Sequence, residues 1–337
     1  MTSHAAESNW AHREKRLQEI RREADASGKA QPTIGAQGDT IAPQPAAGYY
    51  GMPALKQPQW SVEVPVYFFV GGIAGAASVI GAVGHFSSSD QRLIRNSRWL
   101  AAIGGLISPA LLISDLGVPS RFLNMLRVFK IQSPMSVGSW TLVAFSNSAA
   151  AAAVFGELET RWPHGAIRFL TSASQITSAL TGMILSTYTG VLIGATAIPV
   201  WNEHISMLPI HFAASGMASA ASALELAGST SPVLNRIAIG AAAVETAVGA
   251  SIELRSMPAS EPLRSGTSGR AMRAAGLLSG PVPLALRLLA LGNKRRSRGL
   301  RRAAAISSLA GSLLTRWAWI RAGKASANVP AVPLQQT

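Results

Sequence analysis

Long apolar stretches, separated by short polar segments, occupy most of the chain after Trp60. An α-helix needs about 20 residues to cross the roughly 30 Å hydrocarbon core of a bilayer. Eight stretches approach or exceed that length: 62–86, 99–114, 137–156, 167–185, 205–227, 233–253, 274–291 and 303–320. The pattern predicts an all-α integral membrane protein with about eight transmembrane helices.

Residues 188–201 are also apolar, and they either continue the fourth helix or form a short re-entrant piece. Gly190, Gly194 and Pro199 argue against one unbroken long helix, because proline removes a backbone donor and clashes with the preceding turn. Both possibilities remain open from the sequence.

Small residues are frequent within the apolar stretches. Gly71, Gly75, Gly81 and Gly84 lie on the first predicted helix, and alanine dominates the third, fifth and sixth. Lipid supplies no hydrophobic drive between helices, so close packing depends on small side chains that let the backbones approach. We therefore expect a compact bundle in which the glycines are structural.

The composition supports a membrane protein and argues against nucleic-acid binding. Of the 337 residues, 48% are hydrophobic and 14% are charged, whereas soluble chains average about 25% charged. The net charge is +14, but the basic residues cluster in the N-terminal tail and between apolar stretches, where they attract lipid headgroups. The aromatic residues do not lie among them, so we expect a lipid bilayer and no nucleic acid as partner. Both faces carry similar numbers of basic residues, and the orientation stays open.

The two ends of the chain are polar. Residues 1–48 are predicted to form a flexible polar arm, residues 49–328 the transmembrane domain, and residues 329–337 a polar tail. Arg21 and Arg22 are followed by acidic residues instead of an apolar stretch, so no cleavable signal is expected.

Cysteine is absent from the chain. No iron–sulfur cluster can therefore be held here by thiolates. A bis-histidine haem needs two imidazoles at matching depth, and only His211 lies well inside a predicted helix. We expect no haem, no cluster and no metal site in this chain, which disfavours a di-haem cytochrome b anchor.

Polar side chains gather at one membrane face. If the predicted helices alternate in direction, Glu63, Tyr67, Asp115 and Tyr188 all lie near the face at which the first helix begins. Glu63 and Tyr67 are four residues apart and share a helix side. Carboxylate and phenol groups suit a quinone, whose two carbonyls need hydrogen bonds and, on reduction, protons. The alternative is an interfacial aromatic belt with a carboxylate that is favourable to the helix dipole.

Acidic residues also lie within apolar stretches: Glu225, Glu245 and, near a helix end, Glu253. A charge at such a depth costs at least ~2.5 kcal/mol, so these groups are usually protonated, paired or part of a proton path. Glu245 is the deepest, and together with Asp115 it is a candidate proton relay. A transporter or ion channel that uses these glutamates and the interrupted segment 188–201 is the alternative function.

The connector 116–136 is a candidate docking surface for a partner. It carries basic residues and an apolar strip at helical spacing: Arg121, Arg127 and Lys130, and Phe122, Met125, Leu126 and Phe129. The strip either receives a partner subunit or lies in the membrane interface as an amphipathic helix. The basic residues either contact the partner or bind lipid headgroups.

Several segments, in order, resemble the NrfD-like polysulfide reductase membrane-subunit family. They include Tyr-Gly-Met-Pro at 50–53, Asp-Leu-Gly at 115–117 and Ser-Pro-Met-Ser at 133–136, with further matches at Trp60, 67–69, 71–75, 121–122, Trp140, 188–192, 197–201, Arg316 and 322–326. The resemblance covers residues 49–328. It implies two four-helix bundles, a quinone site near the start of the first helix and no haem.

The resemblance also implies a partner subunit of ferredoxin type with [4Fe–4S] clusters, often beside a molybdopterin catalytic subunit. At the start of helix 1 the family commonly has an amide and an imidazole, whereas the matching turns here carry Glu63 and Tyr67. We expect a plasma (inner) membrane subunit that binds menaquinone or ubiquinone and exchanges electrons with the iron–sulfur subunit. As a membrane anchor it would not be catalytic alone.

Overall fold

The computed structural model describes residues 55, 58–87, 90–254, 260–292 and 295–327, and within these ranges every regular element is a helix. The helices are α1 Glu63–Phe86, α2 Gln91–Asp115, α3 Ser120–Met125, α4 Pro134–Arg161, α5 Gly165–Gly194, α6 Pro199–Asn202, α7 Leu208–Leu226, α8 Pro232–Leu254, α9 Glu261–Arg264, α10 Gly266–Ser279, α11 Pro281–Gly292 and α12 Ser297–Ser326. The predicted arm 1–48 and tail 329–337 lie outside the described residues.

Six helical segments are long and apolar enough to cross a membrane: α1, α2, α4, α5, α8 and the joined pair α10–α11. Two other long helices, α7 with 19 residues and α12 with 30, are not among these six. The prediction of an all-α, multi-pass membrane protein is confirmed. The number of eight transmembrane helices stays a prediction.

The helices form two four-helix groups. The first group consists of α1, α2, α4 and α5, and the second of α7, α8, α10–α11 and α12. The groups meet where α1 and α5 pack against α7 and where α1 packs against α12. This arrangement agrees with the two four-helix bundles that the resemblance implies.

Glycines set the closest helix crossings, as the frequency of small residues predicts. A Cβ atom on Gly75 of α1 would lie 2.4 Å from the carbonyl oxygen of Gly182 on α5. Between the two groups, a Cβ atom on Gly216 of α7 would lie 3.0 Å from the carbonyl oxygen of Gly72. The backbones approach so closely that any larger residue at these crossings would push the helices apart.

Helix boundaries differ from the apolar stretches at three places. The second helix begins at Gln91 rather than at residue 99, because Asp90 accepts a hydrogen bond from the backbone N–H of Arg92 (2.9 Å) and caps the polar first turns. The stretch 274–291 is split at Gly280, after which Pro281 opens α11. Helix α5, the fourth of the predicted transmembrane helices, continues through residue 190 and ends at Gly194. The short helix α6 follows.

The connections place alternate helix ends at opposite faces of the bundle. We call the face at which α1 begins the proximal face and the opposite one the distal face. At the proximal face, the Trp60 ring stacks on Trp201 with centroids 5.2 Å apart, and Lys324 Nζ donates a hydrogen bond to the Trp60 carbonyl (2.6 Å). The segment before α1 is thereby held against α6 and α12.

Candidate functional site

A cavity of about 190 Å³ lies at the proximal end of the first helix group. Three of the four predicted quinone-binding residues, Tyr67, Asp115 and Tyr188, line it together. The remaining wall is largely apolar and is formed by Trp60, Val64, Phe68, Leu112, Leu116, Met125, Met135, Gly138, Ser139 and Leu192. The cavity thus combines a few polar groups with a largely apolar wall, as sites for small molecules do.

Tyr67 and Tyr188 bring two phenol groups to the cavity from α1 and α5. Both side chains are buried, and neither hydroxyl forms a hydrogen bond with another residue in the described part of the chain. Gly138 on α4 makes room for the Tyr188 ring, because a Cβ atom at this position would lie 2.0 Å from Tyr188 Cζ. Both hydroxyls are therefore available to a ligand.

Asp115 ends α2 and supplies the carboxylate of the cavity. Its Oδ1 accepts hydrogen bonds from the Ser61 backbone N–H (3.1 Å) and from the Ser61 hydroxyl. These donors, just before α1, offset the unfavourable position of an anion at a helix C-terminus. Among the described ion pairs, none joins Asp115 to Arg121, and no hydrogen bond reaches Asp115 Oδ2 from a described residue. Among the described residues, Asp115 Oδ2 therefore has no partner.

Glu63 does not line the cavity with Tyr67, and its role in quinone binding stays a prediction. The inward side of α1 is formed by Val64, Tyr67 and Phe68, which follow the spacing i, i+3 and i+4. Glu63 precedes this row by one residue, is rotated away by about 100° and is partly exposed. It is the first residue of α1, beside Ser61.

The connector does not form one continuous apolar strip, which corrects the expectation drawn from the helical spacing of its apolar residues. Helix α3 ends at Met125. Phe122 is 7% exposed and packs inward, and Met125 lines the cavity. Phe129 lies beyond the helix, is 57% exposed and contacts the Trp140 ring edge-on, with centroids 6.2 Å apart. Only the later part of the connector presents an aromatic ring outward.

Arg121 and Arg127 are exposed on the connector, and the exposed apolar residues Leu123 and Val128 lie beside them in sequence. The docking surface therefore remains a prediction for a mixed basic and apolar patch rather than for a purely apolar one.

The acidic residues of the second helix group differ in environment. Glu225 is ion-paired with Arg287, whose Nη1 lies 2.7 Å from Glu225 Oε2, and with Arg301. Glu253 is exposed at the end of α8, whereas Glu245 is buried. The sequence reasoning missed Arg287, for which its position inside an apolar stretch was the available signal.

His204 and His211 both lie beside Trp319. His204 Nδ1 donates to the Val200 carbonyl (2.9 Å), and the rings of His204 and His211 both contact Trp319 edge-on. Across the described ranges, no group of three or more His, Cys, Asp or Glu side chains converges as metal ligands would.

Comparison with protein families decides the relationship. The family model NrfD_2, polysulfide reductase, matches residues 46–331, which is most of the chain. The chain belongs to the NrfD-like polysulfide reductase family. This NrfD-like chain is accordingly a membrane subunit of an oxidoreductase complex, as the resemblance implied. No curated protein matches it significantly.

Proposed function

We propose that this NrfD-like subunit binds a quinone or quinol in the proximal cavity and exchanges electrons between the quinone pool and an iron–sulfur partner. The observation that carries the proposal is the convergence of two free phenol hydroxyls and one free carboxylate oxygen in one apolar cavity. The match to an oxidoreductase family supports it. The quinone would be menaquinone or ubiquinone in the plasma (inner) membrane.

The cavity suits a quinone ring better than a whole lipid. Its volume of about 190 Å³ is below the roughly 300–1,000 Å³ of sites that enclose a drug-sized ligand. The quinone headgroup would therefore enter, and a long isoprenoid tail would remain in the lipid. Exposed Met135 marks the edge of the cavity.

Each polar residue has a role in this proposal. Tyr67 and Tyr188 would donate hydrogen bonds to quinone oxygens and hold the ring. Asp115 Oδ2 would accept a proton when the quinol is oxidised and return one when the quinone is reduced. Oxidation of one quinol releases two protons and two electrons. One proton would pass to Asp115 and the other to water at the proximal face, and the electrons would leave one at a time for a cluster in the partner.

The partner is required because this chain contains no cysteine to hold a cluster. We propose a [4Fe–4S] ferredoxin-type subunit, docked on the connector through Arg121, Arg127 and Phe129, and a molybdopterin catalytic subunit beyond it. The connector reaches the cavity through Met125, so a partner seated there would lie close to the quinone. We do not favour a transporter or channel as the main function, because the family is one of oxidoreductases.

The test is quinol oxidation by the purified complex with Tyr67→Phe, Tyr188→Phe and Asp115→Asn. Losing one hydrogen bond of ~1–1.5 kcal/mol lowers the rate about tenfold, so we expect that loss from each phenylalanine variant. Removing the proton acceptor with Asp115→Asn should lower the rate by about 100-fold or more. Rates and Michaelis constants measured with a soluble quinol analogue check these values.

Two matched variants serve as controls. Glu63→Gln alters a carboxylate on the same helix end but outside the cavity, and Asp90→Asn alters a helix cap at the distal face while retaining a good capping residue. Both should keep nearly the full rate. Wild-type rates in all three cavity variants would contradict the proposed site, and a large loss with Glu63→Gln would return Glu63 to it.

A further inference from the structure

A second cavity, of about 320 Å³, lies in the second helix group between α8, α10 and α12. Glu253 and Leu263 line it near the proximal face, and Glu245 and Pro281 line it deeper in the bundle. Glu245 is nine residues from the end of α8, which corresponds to about 13 Å along the helix axis. The cavity thus leads from the proximal side toward the middle of the membrane.

Glu245 is buried without a direct partner. It is 2% exposed, and no described residue forms a hydrogen bond of normal geometry with either carboxyl oxygen, although Ser215, Ser279 and Arg316 are its polar neighbours. A buried carboxyl group in this state needs a reason, because its charged form is costly unless it is paired and hydrogen-bonded. The other titratable or charged groups that line the cavity are His211, Arg273 and Glu253.

Arg316 on α12 is the counter-charge of this region. Its Nη1 donates to the hydroxyls of Ser215 and Ser312, and its Nη2 donates to the Phe212 carbonyl (3.0 Å). The guanidinium group also lies over the Phe212 ring, 4.8 Å from its centroid. These contacts hold Arg316 near Glu245 but not in an ion pair with it, so the carboxyl group can exchange a proton while its anion is stabilised at longer range.

A row of serine hydroxyls continues from Glu245 toward the distal face. Ser215, Ser219 and Ser222 occupy one side of α7 at i, i+4 and i+7, and Ser308 and Ser312 occupy one side of α12. The hydroxyls of Ser215 and Ser312 are hydrogen-bonded at 2.9 Å. Those of Ser219 and Ser308 are buried and have no hydrogen-bond partner among the described residues. A hydroxyl both donates and accepts hydrogen bonds, so this row can relay a proton through bridging water.

The row ends in a charged cluster near the distal face. Arg287 Nη2 donates to the Ser222 hydroxyl (3.1 Å) and Nη1 to Asn235 Oδ1 (3.1 Å). The same guanidinium is paired with Glu225, which also binds Arg301 at the start of α12. Polar groups are therefore present at every level, from the second cavity to the distal end of the second helix group.

The first helix group contains a buried arginine of a different kind. Arg98 Nε donates to Gln175 Oε1 (2.8 Å), and its Nη2 is 3.1 Å from His85 Nδ1. His85 Nε2 is in turn 3.2 Å from the Ser172 hydroxyl. This cluster satisfies its own hydrogen bonds, whereas Glu245, Ser219 and Ser308 have no hydrogen-bond partner among the described residues. Buried hydroxyls without a described partner also occur in the first group, on Ser97, Ser108 and Thr189, so the buried carboxyl group of Glu245, with neither oxygen hydrogen-bonded to a described residue, is what distinguishes the second group.

We propose that the second helix group contains a transmembrane proton path in which Glu245 takes up and releases the proton. The Glu245 carboxylate accepts a proton from water in the second cavity, the one between α8, α10 and α12. The neutral acid then passes the proton along the serine row to the Glu225–Arg287 cluster and the distal face. Only protons move in this step, and no electron is transferred. The path does not depend on quinone binding, so its test can fail or succeed independently of the proposed quinone site.

The test is proton flux through the purified full-length chain in liposomes. A potassium gradient with valinomycin supplies the voltage, and a pH-sensitive dye inside the vesicles reports proton entry. We expect flux well above that of empty vesicles, and Glu245→Gln should lower it by about 100-fold or more, as for loss of a proton-transfer group. Glu261→Gln, an exposed glutamate on α9 that does not line the cavity, should leave the flux within a factor of about two and is the matched control.

Ser219→Ala is a second variant that removes one hydroxyl from the middle of the row and leaves every charge in place. It should lower the flux several-fold. Size-exclusion profiles and thermal melts show which variants are folded, and Glu245→Asp together with Ser219→Ala carries the test if Glu245→Gln does not fold. Flux equal to that of empty vesicles in the wild type, or wild-type flux in Glu245→Gln or in Ser219→Ala, would overturn the proposal.

Discussion

Gly138 shows at the scale of single residues how a missing side chain shapes the quinone cavity. The Tyr188 ring occupies the space in which a Cβ atom of residue 138 would lie. Tyr188 is a site residue that the alternation of helix directions could predict, but its support by a glycine on another helix could not be. A residue pair on neighbouring helices meets only when both helices have the right rotation.

We predict that Gly138→Ala lowers quinol oxidation about tenfold or more while the subunit still accumulates in the membrane. The added methyl group must displace the Tyr188 ring, and overpacking of this kind costs ~1–3 kcal/mol. Quinol oxidation by the intact complex, together with the amount of subunit in the membrane, checks the prediction. Gly240→Ala is the control, because no neighbouring atom lies within 4 Å of a Cβ at that position. An unchanged rate in Gly138→Ala would show that the Tyr188 position is not critical.

Arg287 and Glu225 act at the scale of elements, where they join three helices of the second group. Arg287 lies on α11, Glu225 at the end of α7 and Asn235 near the start of α8. Arg287 is fully buried, and its contacts fasten α11 against the other two helices after the break at Gly280. The break at Gly280 divides this membrane segment into two short helices, α10 and α11. The position of α11 therefore depends more on side-chain contacts than that of an unbroken helix would.

We predict that Glu225→Gln destabilises the protein by ~3–5 kcal/mol, because it leaves Arg287 as a buried charge without its anion. Thermal unfolding in detergent measures the effect as a lower Tm or as loss of folded protein. Glu253→Gln, which changes an exposed glutamate one helix away, should stay within about 0.5 kcal/mol. Adding Arg287→Met to Glu225→Gln should recover much of the lost stability, since the unpaired charge is then removed. An unchanged Tm in Glu225→Gln alone would contradict a structural role for the pair.

The connector decides, at the scale of the whole molecule, how this subunit meets the rest of its complex. Its inner residues, Phe122 and Met125, belong to the fold and the cavity. Its outer residues, Arg121, Arg127 and Phe129, are left for a partner or for lipid headgroups. In the proposed function, the same short segment would contact the quinone on one side and an iron–sulfur subunit on the other.

We predict that Phe129→Ser weakens retention of the iron–sulfur subunit without unfolding this chain. An exposed aromatic ring at an interface contributes binding energy but little to the fold of the free subunit. Co-purification of the partner and the Tm of the isolated chain separate the two effects. Phe122→Ser should instead lower the Tm, because its ring is buried. Leu254→Ser, an exposed apolar residue at the proximal end of α8, is the control. Full retention of the partner by Phe129→Ser would move the docking surface elsewhere.

The sequence alone determined the class of this protein and the membrane face at which its candidate site residues lie. The length and apolarity of the stretches predict membrane helices because the bilayer thickness imposes one length on them. Alternation of helix direction then brings Tyr67, Asp115 and Tyr188 to one face, and the structure brings all three into one cavity. The absence of cysteine requires any cluster held by thiolates to lie in a partner. These conclusions need only depth and direction along a helix, which the sequence carries.

Only the tertiary structure decided which way each helix turns about its own axis. Rotation of α1 turns Val64 inward and Glu63 outward, although Glu63 and Tyr67 share a helix side by spacing alone. Packing of α3 likewise buries Phe122, whereas Phe129, which lies beyond the end of α3, is exposed. Glu225 is paired with Arg287, and the charged neighbour of Glu245 is Arg316. Both arginines lie far from their glutamates in the sequence. Rotation and pairing are settled by contacts between helices, and membrane helices are apolar on too many sides for the pattern of one helix to specify them.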